Sequence, residues 1–229
     1  MNVQNTFRDS ERRTSADEVF ERLRADIVAL RLIPGAKLSE VEVAKQSDVS
    51  RQPVREAFIR LSNMNLLLVR PQKATLVRKI SVQDILNTRF IRTAIEVEVV
   101  RKACLTVDEE GLKRIKDNLK QQKRAANKRD SDRFHELDYE FHHLICAAAD
   151  SEFAFAAIAE NKSHVDRLCM LSLANKSGML ELYRDHSAIY DALEKRDEEG
   201  IVSMTRLHLS RLDETLDDAR KNHPDYFED

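Results

Sequence analysis

The chain has 229 residues and a mass of 26.5 kDa, long enough for one large domain or two of ordinary size. Its 42% hydrophobic share can fill a core, and four scattered glycines exclude both a glycine-rich phosphate loop and a turn-rich all-β fold. Net charge is −2 overall, yet residues 1–79 hold 15 Lys and Arg against 10 Asp and Glu, whereas residues 80–229 hold 23 against 30. A basic front and an acidic back imply two domains with different partners. No apolar run is long enough to span a membrane. The N-terminus lacks the apolar core of a signal peptide, and Cys104, Cys146 and Cys169 form no CxxC pair, which points to the cytoplasm.

Residues 1–14 are polar and read as a mobile arm carrying Arg12 and Arg13. A helix starts near Ser15 or Asp17, with Val19, Phe20, Leu23, Ile27 and Leu30 on one face, and Pro34-Gly35 ends it. Lys37-Leu38 reads as a short strand. Ser39 and Glu42 form a capping box for a second helix. Ser47-Asp48 breaks it. Ser50 caps a third helix, with Pro53 in the first turn and Val54, Ala57, Phe58 and Leu61 as its buried stripe. Leu66–Arg70 and Thr75–Arg78 read as two strands around the turn at 71–74.

This order is a winged helix-turn-helix over residues 15–79. Its buried stripe leaves Ser50, Arg51, Gln52 and Arg55 on the opposite face, at the end of the helix that enters a major groove. Arginine can pair with guanine O6 and N7, while Ser and Gln reach bases or phosphates. Lys73 at the wing can reach phosphate or the minor groove.

From Ser81 the pattern is helical, with six helices near 82–105, 108–128, 131–149, 152–174, 178–196 and 198–221. Stripes such as Phe134, Leu137, Phe141, Leu144 and Ile145 suit an antiparallel bundle. The fold class is therefore mainly α. Asp138 and His142, four apart, share a helix face; His186 and His208 lie on two later helices. One Asp and three His on three helices can converge on a divalent metal, zinc before nickel, manganese or iron. His135 is a substitute ligand and His143 a bystander. A His in a helix is more often surface or core than ligand, so this set is weak by itself. Arg92 and Glu96 have the spacing of a salt bridge.

The segment KLSEVEVAKQSDVSRQPVREAFIRLSNMNLLLVRPQKATLV resembles the DNA-binding domain of GntR-type bacterial transcription regulators. The resemblance implies DNA contacts from Ser50, Arg51, Gln52, Pro53 and Arg55, with support from Arg60 and Lys73. Where that family has Gly in the turn before the recognition helix, this chain has Asp48, which tolerates left-handed backbone; Ala74 replaces the usual wing Gly. Within the domain at 80–229, residues about 81–221 resemble the FCD ligand-binding domain, through D-Y-E-F-H (138–142), H-S-A-I-Y-D-A-L (186–193) and M-T-R-L-H (204–208). That resemblance implies metal ligands Asp138, His142, His186 and His208 and a six-helix, VanR-like bundle. It also implies an effector facing Arg92, with Asn161 and Arg167 as further lining. The expected protein is a homodimeric regulator, a repressor, that binds a palindromic double-stranded DNA operator and a small carboxylate or sugar acid, with no membrane partner. The alternatives are a metal-dependent hydrolase or oxygenase fused to a helix-turn-helix, and a regulator whose metal is purely structural.

Overall fold

The computed structural model describes residues 14–70, 73–173 and 176–228, without the side chains of residues 160, 161, 164, 172 and 176. The arm with Arg12 and Arg13, the wing turn at 71–72 and the side chain of Asn161 lie outside the described residues. The chain divides into two compact units. One comprises the segment ending at Ile27 together with Gly35–Arg78; the other comprises Val28–Pro34 and Lys79–Asp229.

The first unit holds α1 (Ser15–Val28), β1 (Lys37–Leu38), α2 (Glu40–Gln46), α3 (Arg51–Asn63), β2 (Leu67–Leu68) and β3 (Thr75–Val77). The strands form one antiparallel sheet in the order β1-β3-β2. Ser39 caps α2 by accepting from the Glu42 N–H. Asp48 stands at φ +51, so it carries the left-handed turn between α2 and α3. Val54, Ala57, Phe58 and Leu61 are buried along α3, as the sequence pattern requires. One expectation fails: α1 ends at Val28, six residues before Pro34. Leu30 has φ +57, so the chain leaves the helix there and not at Pro34-Gly35.

The second unit holds six long helices: α4 (Val82–Thr106), α5 (Glu109–Lys128), α6 (Ser131–Ala148), α7 (Glu152–Leu173), α8 (Lys176–Glu194) and α9 (Glu198–Asn222), then a single helical turn at Pro224–Tyr226. Four starts are written in the sequence. Ser81, Asp108, Asp130 and Asp197 accept from the N–H of Asp84, Gly111, Arg133 and Gly200. Each such cap contributes about 0.5–2 kcal/mol. Their stops use little glycine. Arg129, Asp150 and Arg196 take positive φ where a helix ends, a conformation that costs an L-residue about 1–2 kcal/mol and so must be held by the packing around it.

Helix α4 packs on α9 and α7, α5 on α6 and α8, and α8 on α9. A core of Val99, Val100, Phe141, Leu144, Ile145, Ile158, Ile189, Leu193 and Ile201 joins α4, α6, α7, α8 and α9. The chain end closes on the start of α4, where Ile80 N–H donates to the Tyr226 carbonyl and Glu228 N–H to the Ile80 carbonyl. No helix among the described residues is long and apolar enough to cross a membrane.

Candidate functional site

Two places concentrate polar chemistry. On the first unit it lies at the start of α3. Ser50, Arg51, Gln52 and Arg55 are all exposed, opposite the buried stripe, and Pro53 sits in the first turn. Ser50 has the extended backbone of a cap, but its hydroxyl makes no capping bond and stays available to an outside acceptor or donor. Arg51 and Arg55 both donate to one oxygen of Glu40, at 3.1 and 3.3 Å. That shared carboxylate holds the two guanidinium groups side by side. Partial burial works to raise the Glu40 pKa, yet the two arginines outweigh it and lower it. Lys73 is exposed beside the wing.

Arg60 is half-exposed and has partners within the fold. Its guanidinium stacks 3.9 Å over the Phe20 ring and donates to Asp17 at 2.7 Å, so α3 is pinned to α1 through it. Hydrogen bonds from Thr14 and then Arg60 bring the Asp17 carboxyl down to about 2.

In the second unit, α6, α8 and α9 bring His142, His186 and His208 together. One ring nitrogen of each lies within 4.8 Å of the others, and all three residues are buried. Asp138 stands beside them, its Oδ1 3.5 Å from His186 Nε2 and 3.9 Å from His142 Nε2. His142 Nδ1 meets Glu96 Oε2 at 3.0 Å. His186 Nδ1 meets Gln122 Oε1 at 2.9 Å, and Gln122 is itself oriented by donating to Asn118. Carboxylate and amide oxygens only accept here, so both rings carry their proton on Nδ1 and turn the Nε2 lone pair toward the cluster. Those two Nε2 atoms are buried and have no hydrogen-bond partner, whereas His208 Nδ1 lies 3.8 Å from Asp185 Oδ2. Orphaned buried acceptors are costly unless something fills the space between them.

The donor set fits a divalent metal. Three imidazoles and a carboxylate suit zinc, and outer carboxylate and amide partners are the usual support for such ligands. Burial, then the neighbouring His208, pushes the His186 pKa well down; burial also lowers that of His208, although Asp185 opposes it. Both rings are therefore neutral and able to ligate at neutral pH. Of the two doubtful histidines, His135 lines the cavity beside the cluster, and His143 packs edge-on against Phe155.

That cavity has a volume of about 40 Å³ and is lined by Arg92, Asp138, His142, Lys162, His208 and Arg211, among others. The Arg92–Glu96 pair is not the exposed salt bridge that spacing suggests. Arg92 Nε donates to Glu96 Oε1 at 2.7 Å with the side chains only 4% and 6% exposed. Burial favours the neutral forms, but the pair's mutual attraction wins: it raises the Arg92 pKa and, with His142, lowers that of Glu96. Glu96 thus bridges Arg92 and a candidate ligand.

Arg167 is fully buried on α7 and is not among the residues lining this cavity. Lys162, which sequence reasoning missed, does line it. Its Nζ lies 2.8 Å from Asp166 and 3.3 Å from Asp138, and 4.6 Å from the centre of the Tyr139 ring. Burial works to lower its pKa, but Asp166 and Asp138 raise it further, so the ammonium stays charged. A lysine four residues before an aspartate was the available signal, and it is indistinguishable from a surface pair in sequence.

Comparison with known proteins agrees with this division. Residues 15–77 match the model described as "Bacterial regulatory proteins, gntR family", and residues 88–211 match the FCD domain. The chain is 39% identical over 210 residues to the HTH-type transcriptional repressor RspR of Escherichia coli K12, covering 92% of each protein. It is 30% identical over 189 residues to a probable D-xylose utilization operon transcriptional repressor of Paenarthrobacter nicotinovorans, covering 82% of each. Its fold is similar to that of E. coli McbR/YncC, with a TM-score of 0.74 at 21% identity over 87% of this chain and 95% of the other. Regulators of this kind bind DNA operators, and FCD domains bind small-molecule effectors; their relatives are regulators and not enzymes. The chain therefore belongs to the GntR family of bacterial DNA-binding transcription regulators, in the group that carries an FCD domain.

Proposed function

We propose that the protein is a homodimeric, metal-dependent repressor. Residues 15–79 hold one half of a palindromic operator through Ser50, Arg51, Gln52 and Arg55, with Lys73 on the backbone. Residues 80–229 bind one divalent ion, zinc first, through His142, His186, His208 and Asp138, and a small carboxylate beside it. The observation that carries this reading is the cluster of three buried imidazoles, two with orphaned Nε2 atoms, next to a cavity that also holds Arg92 and Lys162. A bound ion offers open coordination positions to carboxylate oxygens. Arg92 contributes fixed donors for the same group, and Lys162 a second cation.

Coupling follows if the acid prefers one arrangement of the dimer. Typical coupling of 1–3 kcal/mol changes operator affinity by about 5–150-fold. The test is selection of bound duplexes from a random-sequence pool with zinc-loaded protein, followed by anisotropy titration of the recovered duplex with and without organic acids. A two-fold symmetric site whose affinity falls when an acid is present is the expected result. A site without symmetry, or an affinity indifferent to every acid, contradicts the reading.

A further inference from the structure

The two oxygens of Asp138 have different partners. Oδ1 lies 3.5 Å from His186 Nε2 and 3.9 Å from His142 Nε2. Oδ2 lies 3.3 Å from the Nζ of Lys162, a residue of α7. Residues 138 and 142 share one face of α6, residues 162 and 166 share one face of α7, and the two helices pack together. One oxygen of the carboxylate is thus directed at the imidazoles, and a lysine from the neighbouring helix takes hold of the other.

The ammonium is itself held from three sides. Asp166 Oδ1 lies 2.8 Å from Nζ, Asp138 Oδ2 3.3 Å, and the centre of the Tyr139 ring 4.6 Å. The side chains of Lys162, Asp166 and Asp138 are 2%, 6% and 14% exposed. A compact ammonium shared by two carboxylates in so dry a place cannot swing out without leaving a charge stranded. It therefore fixes how the Asp138 carboxylate is turned.

That orientation decides how many oxygens the aspartate offers. Three imidazoles and one carboxylate oxygen make the four donors that zinc commonly takes. Carboxylates also bind ions through both oxygens, and a harder, oxygen-seeking ion such as manganese gains more from the second one than zinc does. We propose that Lys162 is the positioning residue of the candidate metal centre: its ammonium keeps Oδ2 of Asp138, so that the carboxylate meets the ion through Oδ1 alone and the donor set favours zinc over manganese. The proposal rests on the metal-binding reading above.

Calorimetric titration of the full-length protein with zinc and with manganese tests it, together with the visible spectrum of the cobalt(II)-loaded protein. Lys162→Met and Lys162→Arg are compared with the unaltered protein, each checked for helical content by circular dichroism. Lys162→Met should lower the zinc-to-manganese affinity ratio at least tenfold. It should also at least halve the cobalt absorption, which weakens as a second oxygen raises the coordination number. Lys162→Arg, which restores a cation with hydrogen-bond donors, should recover most of both. If Lys162→Met binds both metals more tightly at an unchanged ratio, Lys162 acts through its charge alone and the positioning role falls. If it binds both more weakly at an unchanged ratio, Lys162 only packs, and the role falls equally. Should the variants not fold, a crystal structure of the zinc-loaded unaltered protein decides: Oδ2 on Lys162 and Oδ1 on the ion supports the proposal, and both oxygens on the ion overturns it. An unaltered protein that binds none of these ions removes the metal-binding reading, and the proposal with it.

Discussion

The two units handle charge in opposite ways. In the DNA-reading unit the arginines are at the surface: Arg51 and Arg55 have side chains 60% and 53% exposed, and their partner Glu40 is only partly buried. In the helical unit Arg92, Glu96, Lys162 and Asp166 are almost sealed from water. An exposed pair is worth about 0–1 kcal/mol and gives way readily to an outside partner such as a phosphate or a base. A buried pair carries a desolvation cost of several kcal/mol per ion and cannot be broken without leaving a charge stranded. The surface arrangement suits reversible contact with DNA. The enclosed one suits holding an ion and an anion in fixed positions.

The largest expected difference between the units comes from removing a partner in each. Glu96→Ala leaves both Arg92 and His142 unpaired and should lower stability by about 3–5 kcal/mol in urea unfolding. A loss below 1 kcal/mol would mean that the Arg92–Glu96–His142 chain is not closed to water.

Acid sharpens the contrast next. The folded pKa values of His186 and His208 lie below the usual 6.5. Below that value the unfolded chain binds more protons, so each ring's contribution is present above pH 6.5 and is lost as pH falls toward its folded pKa. Glu96 and Asp138, also lowered, act in the same sense below the ordinary carboxylate range. Metal-free protein should therefore lose up to about 1.4 kcal/mol per pH unit per imidazole between pH 6.5 and 5.5. Urea midpoints that stay flat over that interval would place the rings in contact with solvent.

Arg51→Ala should cost about 1–3 kcal/mol at the selected operator while leaving unfolding unchanged. Operator affinity equal to that of the unaltered protein removes Arg51 from base reading. The smallest effect belongs to Glu40→Gln, expected to change stability by less than about 1 kcal/mol. A larger loss in its melting curve would show that the surface arginines are tied into the fold.

Much of this was legible in the sequence because the signals are local. The expected helix starts at 108, 131 and 198 lie within a residue of those observed, and the stripe from Val54 to Leu61 fixes which face of α3 is free. The end of α1 was hidden because Leu30 looks apolar and in phase, yet its backbone is left-handed. At the site, residue types and four-residue spacing pointed to Asp138 and His142. Gln122, Lys162 and the second role of Glu96 were not readable, since their partners lie 64, 24 and 46 residues away on other helices. The partners of Arg60 were hidden for the same reason: Phe20 and Asp17 are on α1.

The most direct measurement is the metal content of freshly purified protein and of His186→Ala, each checked for helical content by circular dichroism. The account predicts close to one divalent ion per chain in the unaltered protein and none in the folded variant. A folded His186→Ala protein that keeps a full ion, or an unaltered protein that takes up none from added zinc, would contradict it.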